Sequence, residues 1–242
     1  QINLMLDRIH ALMAEISQVT IDIAHDLRTP LARLRHGIDA IRQSPRCPSE
    51  LAPDLSTAVR EADSILDIFT AMLRIAQIES GSRRAAFAPL SLSEIVADVS
   101  ETYAPVAEDR GHVLAWRVNG EPVVDGDARL LRQLLSNLIE NALLHTPSGT
   151  RIEVVADAEA ARAVLSVADD GPGIPAAMRE HVLKPFVRVD PSRTTEGTGL
   201  GLATVAAIVR LHAGEIELAD NAPGLRVSIH LPVKTSSGAI DG

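Results

Sequence analysis

Leu6, Ile9, Met13, Ile16, Thr20, Ile23 and Leu27 follow one another at alternating steps of three and four. That spacing keeps one apolar stripe of a long helix against a partner helix. The stripe resumes as Leu31, Leu34, Ile38 and Ile41, but the second four-residue step in a row, from Leu27 to Leu31, shifts its phase. Pro30 stands at the shift. Inside a helix it removes a backbone hydrogen bond and costs about 3 kcal/mol, so a bend is expected there. "SPRCPSE" at 44–50 ends the helix with two prolines and offers Ser49 as the cap of the next one. The second helix carries its own stripe, Leu55, Val59, Ala62, Leu66, Phe69, Leu73 and Ala76, and should stop near Gly81. One hairpin has too little surface to bury both stripes. Two copies would make a four-helix bundle, so a homodimer is expected.

The pattern changes near residue 82. The expected division is a helical hairpin over 1–82, a linker over 83–89, an α/β domain over 90–234 and a disordered tail over 235–242. "LSLSEIVADVSETYAPVAEDRG" reads as a capped helix and "HVLAWRVN" alternates like a strand. "DARLLRQLLSNLIENALLHTP" is a strong helix stopped by Pro147, and "RIEVVAD" and "RAVLSVAD" are strands. "GLATVAAIVRLHAG" is a helix closed by Gly214, and "EIELAD" with "LRVSIHLP" forms a closing hairpin. Helices interleaved with strands predict an α/β layer structure.

Composition narrows the picture. Hydrophobic residues make up 46% of the 242 residues and aromatics only 2%, so the cores must be built from Leu, Ile, Val and Ala. A net charge of −9 argues against broad nucleic-acid binding. The single cysteine, Cys47, excludes an internal disulfide. No apolar run reaches the roughly 18 residues of a membrane span. The chain begins without Met and in mid-helix, which predicts a piece of something longer.

Four stretches carry candidate chemistry. In "IAHDLRTPLARL" (23–34) His25 falls on the outward face of its helix, where a partly deprotonated imidazole is nucleophilic. Asp26 beside it can fix the ring tautomer and raise its basicity. In "NLIENALLHTP", Asn137 and Asn141 are four apart on one helix face, with Glu140 expected on it too. Such oxygens suit a hard cation such as Mg²⁺ that also binds substrate phosphates. "DDGPGIP" places Asp169, Gly171 and Gly173 directly after a strand, where a carboxylate could read the exocyclic amine of an adenine. "EGTGLGLA" opens a helix with Gly197, Gly199 and Gly201, a phosphate-binding arrangement that is neither a Walker loop nor a dinucleotide fingerprint. Each stretch alone also fits an ordinary polar face or tight turn.

Together, "HDLRTPL", "NLIENALLHTP", "DDGPGI", "KPFVRVDPSR" and "GTGLGLA" in this order resemble the H, N, G1, F and G2 boxes of a two-component sensor histidine kinase, from about residue 4 to about residue 232. The resemblance implies a helical hairpin that forms a dimeric four-helix bundle, followed by a Bergerat-type (GHKL) α/β sandwich that binds ATP, as in gyrase. It implies His25 as phosphoacceptor, Asp26 as its base, and Asn141 as the Mg²⁺ ligand with Asn137 in support. Asp169 would contact adenine. Gly171, Gly173, Gly197, Thr198, Gly199, Leu200 and Gly201 would shape the nucleotide site and its mobile lid, with Phe186 as anchor and Arg193 nearby. Thr29, one turn after His25, would position a water to dephosphorylate the partner, a response regulator.

Two positions depart from the family pattern. Leu144 stands where many relatives have Lys or Arg aimed at the phosphates, and Val187 where many have Tyr. Lys184, Arg188 or Arg193 are the substitutes for the missing cation, and slow autophosphorylation is expected. The N-terminal segment resembles the joint after a membrane-proximal signalling module. The parent would then be an inner-membrane sensor with this piece in the cytoplasm, touching the membrane only through segments outside this chain. The alternatives are a gyrase-type ATPase, which the His25 box and the hairpin oppose, and a weakly active scaffold for a response regulator, which Asn141 and Asp169 oppose.

Overall fold

The computed structural model describes residues 29–44, 48, 50–79, 87–159, 162–189 and 199–233. The chain divides into two units, Gln1–Gly81 and Ser82–Gly242.

In the first unit, a helix over 29–42 (α1) and the helix Ala52–Glu79 (α2) are the two arms expected from the apolar stripes. The α1 arm closes on a turn in which the Gln43 and Ser44 amides donate to the carbonyls of Asp39 and Ile41. α2 begins later than a Ser49 cap would place it. Leu51 supplies the carbonyl for the first helical bond, from the Leu55 amide at 3.0 Å. Pro53 then sits in the first turn, where its missing N–H costs nothing. Ser49, the stripe before Leu31 and the turn preceding Pro30 lie outside the described residues, as does the tail over 235–242. Ala62, Leu73 and Ala76 of the second stripe are buried and Leu31 and Ile38 half-buried, but Leu34 and Ile41 stay 57% and 58% exposed. An ion pair of 2.6 Å between Arg35 and Asp63 links the arms. Its partial exposure makes it worth at most about 1 kcal/mol.

The second unit has two layers. A five-stranded sheet runs in the order β2-β4-β5-β7-β6, made of β2 (Val113–Asn119), β4 (Arg151–Ala158), β5 (Arg162–Asp169), β6 (Glu215–Asp220) and β7 (Leu225–Pro232). All its pairings are antiparallel except β2 with β4. That parallel pair needs a long crossover, which helix α4 (Ala128–His145) provides. Helices α3 (Leu92–Asp109), α4 and α5 (Gly201–Leu211) form the second layer. Their apolar sides meet alternate sheet positions. Ile95, Leu131, Leu134, Leu135, Ile139 and Ile208 from the helices and Ile152, Leu165, Ile229 and Leu231 from the strands are essentially inaccessible. Each such side chain contributes about 1.5–3 kcal/mol, and the aliphatic core compensates for the scarcity of aromatics.

Two short strands correct the sequence reading. β1 (Ala88–Ser91) pairs antiparallel with β3 (Val123–Gly126) in a separate two-stranded sheet, so Ala88 and Pro89 are strand residues rather than part of the 83–89 linker. Four residues are too few for a period-two signal, and Pro89 is tolerated because the strand lies at an edge. The Ser91 side chain makes no capping bond to α3. Asp127 does cap α4, taking the Arg129 and Leu130 amides at 2.9 and 3.2 Å. This cap fixes the start of the helix that carries the asparagine pair.

Candidate functional site

α4 forms the common wall of the site. Its apolar stripe, Leu130, Leu131, Leu134, Leu135, Leu138, Ile139, Ala142 and Leu143, is buried. Asn137 and Asn141, four apart, are half-buried on the flank facing the first residue of α5. The Asn137 amide donates to the Gly201 carbonyl at 3.4 Å. A Cβ on Gly201 would lie 3.1 Å from Asn141 Oδ1, so the glycine lets helix α5 approach the asparagine closely. Among the described residues Asn141 Nδ2 has no protein partner, and it is buried. A buried amide without a partner is costly, which makes this nitrogen a candidate contact for a polar ligand. Glu140 does not share the asparagine flank as expected. It is exposed and accepts the hydroxyl of Tyr103 from α3. Burial and that carboxylate push the Tyr103 hydroxyl up to about 12.

The last turn of α4 meets the end of β5. Asp169 is the final residue of β5, as the strand "RAVLSVAD" has it, and is 7% exposed. Its Oδ1 accepts the Gly171 amide at 2.9 Å and the Leu225 amide at 3.3 Å. Burial raises the Asp169 carboxyl above the usual range, and these two amides oppose the shift. A Cβ on Gly171 would stand 2.5 Å from the Thr146 methyl, and one on Gly173 would stand 2.7 Å from the Gly224 carbonyl. The "DDGPG" turn is therefore glycine-built because the end of α4 and the β6–β7 tip press against it.

Val189 and Gly199 flank the stretch 190–198. The Phe186 amide donates to the Gly199 carbonyl at 3.0 Å, and both residues have positive φ, 66° and 68°. Phe186 is half exposed. Leu200 places its side chain in the core, so only its backbone is open to the ligand contact expected of it. Its side chain is buried at 2% exposure, and its carbonyl takes both the amide and the hydroxyl of Thr204. His145, one turn beyond Asn141, is held below its usual range by burial and by the nearby Arg188 guanidinium. Of the candidate cations, Arg188 thus lies within electrostatic reach of the end of α4.

The structure brings together Asn137, Asn141, Asp169, Gly171, Gly173 and Gly201 around α4, with Phe186 and Gly199 paired to each other. His25, Asp26, Arg193, Gly197 and Thr198 lie outside the described residues. Thr29 is exposed at the start of the described part of α1. Sequence reasoning missed Thr146, Asn221 and Gly224. "DNAPG" signals a turn, but nothing in it tells that the turn docks on Asp169.

Comparison with known proteins places these features. Residues 15–81 match the family profile of the His Kinase A (phospho-acceptor) domain, and residues 126–235 that of the histidine kinase-, DNA gyrase B-, and HSP90-like ATPases. Sensor protein IrlS of Burkholderia pseudomallei is 34% identical over 231 residues, covering 95% of this chain and 49% of that protein. The probable sensor histidine kinase TcrY of Mycobacterium tuberculosis is 33% identical over 242 residues, covering 96% and 50%. The crystal structure of full-length ShkA in complex with AMPPNP superposes with a TM-score of 0.73 at 25% identity, over 91% of this chain and 47% of that one. The chain spans about half the length of the curated relatives it matches.

Proposed function

We propose an activity for a chain that belongs to the two-component sensor histidine kinases: it phosphorylates His25 from ATP and passes the phosphoryl group to an aspartate of a response regulator. The observation that carries this reading is the partnerless, buried Asn141 amide facing Gly201 on the same helix whose end meets Asp169 and Gly171. That arrangement suits a nucleotide, with Asp169 reading the adenine amine and Asn141 at the phosphate end. The AMPPNP bound by ShkA supports the same assignment.

The transfer is mainly a matter of positioning and charge neutralisation. The His25 imidazole nitrogen attacks the γ-phosphorus, the bond to the ADP oxygen breaks, and the ring proton passes to Asp26. Asn141, with Asn137 beside it, would hold Mg²⁺ through its amide oxygen. When bound, the ion neutralises phosphate charge. Arg188 would supply the cation that Leu144 does not. Its neighbour His145, kept neutral, adds no competing positive charge. The phosphoryl group then moves from the His25 nitrogen to a regulator carboxylate. The exposed seam residues Leu34 and Ile41 support a homodimer in which a second copy covers them. We further propose that the chain is the cytoplasmic portion of an inner-membrane sensor. Among the described residues no helix is long and apolar enough to cross a membrane.

Incubation of the purified chain with γ-labelled ATP and Mg²⁺ tests the reading. Acid-labile, base-stable label on the protein is expected. Released phosphate with unlabelled protein would instead indicate a gyrase-type ATPase, and neither product would indicate a scaffold.

Thr29 follows His25 by four residues, so on a continuous helix its hydroxyl would share that face and order a water against a phosphoaspartate. Thr29→Ala is expected to lose regulator dephosphorylation, by about tenfold or more, while keeping most autophosphorylation. Measuring both rates on one preparation checks it. Equal loss of the two would make Thr29 structural, through a bond to a helix carbonyl.

A further inference from the structure

Asp169 ends β5 with its carboxylate held by the Gly171 and Leu225 amides, and the tip of the β6–β7 hairpin is built around its backbone. Asn221 Nδ2 donates to the Asp169 carbonyl at 2.8 Å. The opposite end of the same amide, Oδ1, accepts from Arg226 Nη2 at 2.9 Å, which fixes which way the amide faces. The Asn221 amide N–H closes the tip on the Gly224 carbonyl at 3.2 Å, and the Leu225 amide reaches Asp169 Oδ1 at 3.3 Å. Gly224 has φ 111°, and a Cβ there would stand 1.8 Å from the Asp169 carbonyl oxygen. Only glycine allows the tip to seat this closely.

The consequence is a division of labour between the two carboxylate oxygens. Oδ1 is occupied by Gly171 and Leu225 amides, one from each side. Oδ2 is then the oxygen left to accept a hydrogen bond from a base. An ionised carboxylate accepts at either oxygen and donates at neither, so a mobile one keeps the sign of its preference for an amine but loses the geometry of the bond. One locked by two amides and a braced backbone presents a fixed acceptor, which favours a ligand amine and repels a carbonyl.

We propose that Asn221, braced by Arg226, is a positioning residue for base selection: it holds Asp169 so that the site prefers adenine over guanine nucleotides. This rests on the reading of Asp169 as the adenine contact. The hairpin tip, outside all five family boxes, thereby becomes part of the specificity apparatus of the nucleotide site.

The test uses the full chain and two probes, ADP and GDP, with dissociation constants measured by calorimetry in the presence of Mg²⁺. Loss of the Asn221 brace in Asn221→Ala is expected to weaken ADP by about tenfold, with GDP changed by less than about twofold, because guanine places a carbonyl where adenine has its amine. Arg226→Gln, which keeps Asn221 but removes its brace, should lower the ADP:GDP ratio in the same direction by a smaller factor. In an Asp169→Asn background, Asn221→Ala should change the ratio no further, since it acts through Asp169. Equal weakening of ADP and GDP would overturn the proposal, since general loosening of the fold acts on both. An unchanged ADP affinity, or losses that add in the double variant, would overturn it too. Asp169→Asn binding ADP as tightly as the parent would overturn the adenine reading itself, a result distinct from failure of the Asn221 step.

Discussion

His25→Gln is expected to reduce phosphorylated protein to background while ADP affinity stays within about twofold of the parent. Glutamine carries no nucleophilic nitrogen, so no phosphoramidate can form. The groups proposed to hold nucleotide, Asn141 and Asp169, belong to the second unit, Ser82–Gly242, and His25 to the first. A gel assay of acid-labile label, paired with calorimetry of ADP binding, reads both quantities. Stable label on the variant would move the acceptor to another residue. Loss of ADP binding would mean that the first unit is part of the nucleotide site.

Asn141→Ala should lower Mg²⁺-dependent phosphorylation by about 10²–10³-fold, the range found when one preorganised polar group is removed from a reacting site. The alanine removes the side-chain oxygen that lies against Gly201 at the start of α5. It also removes the buried unpaired Nδ2, so the apo fold loses nothing and should melt no lower than the parent. The homodimer should persist, because the stripe with Leu34 and Ile41 lies in the other unit. Sedimentation of the variant beside its phosphorylation rate checks the pair of expectations. A monomeric variant would contradict the assignment of the dimer seam to the hairpin.

Much of the architecture was legible because it rests on periodicity. The α2 stripe from Leu55 to Ala76, the apolar side of α4 and the strands β2, β4, β5, β6 and β7 all follow from spacing that repeats often enough to exceed chance. β1 and β3 have four residues each, less than two full alternations per face, and left no such signal. The start of α2 at Ala52 rather than beside Ser49 was illegible for a similar reason. Two prolines and several cap-forming residues crowd 44–53, and local propensity ranks them almost equally.

The candidate site divides along the same line. The types and spacing of Asn137, Asn141, Asp169 and the glycines are properties of the sequence, since four-residue spacing fixes a shared helix flank and glycine fixes where the backbone can crowd. Which groups meet across the fold is not encoded locally. That Glu140 turns to Tyr103, that Leu200 fills the core, that Arg188 stands near His145 and that Asn221 braces Asp169 all depend on elements far apart in sequence being brought together by the sheet order. The pairing of Asn221 with Asp169 spans 52 residues. The sequence by itself determined the elements, their apolar faces and the residues able to do phosphoryl chemistry. Only the tertiary structure decided which side chain serves the ligand and which serves its neighbour, because a hydrogen bond is set by distances of a few tenths of an ångström, and those exist only once the layers have packed.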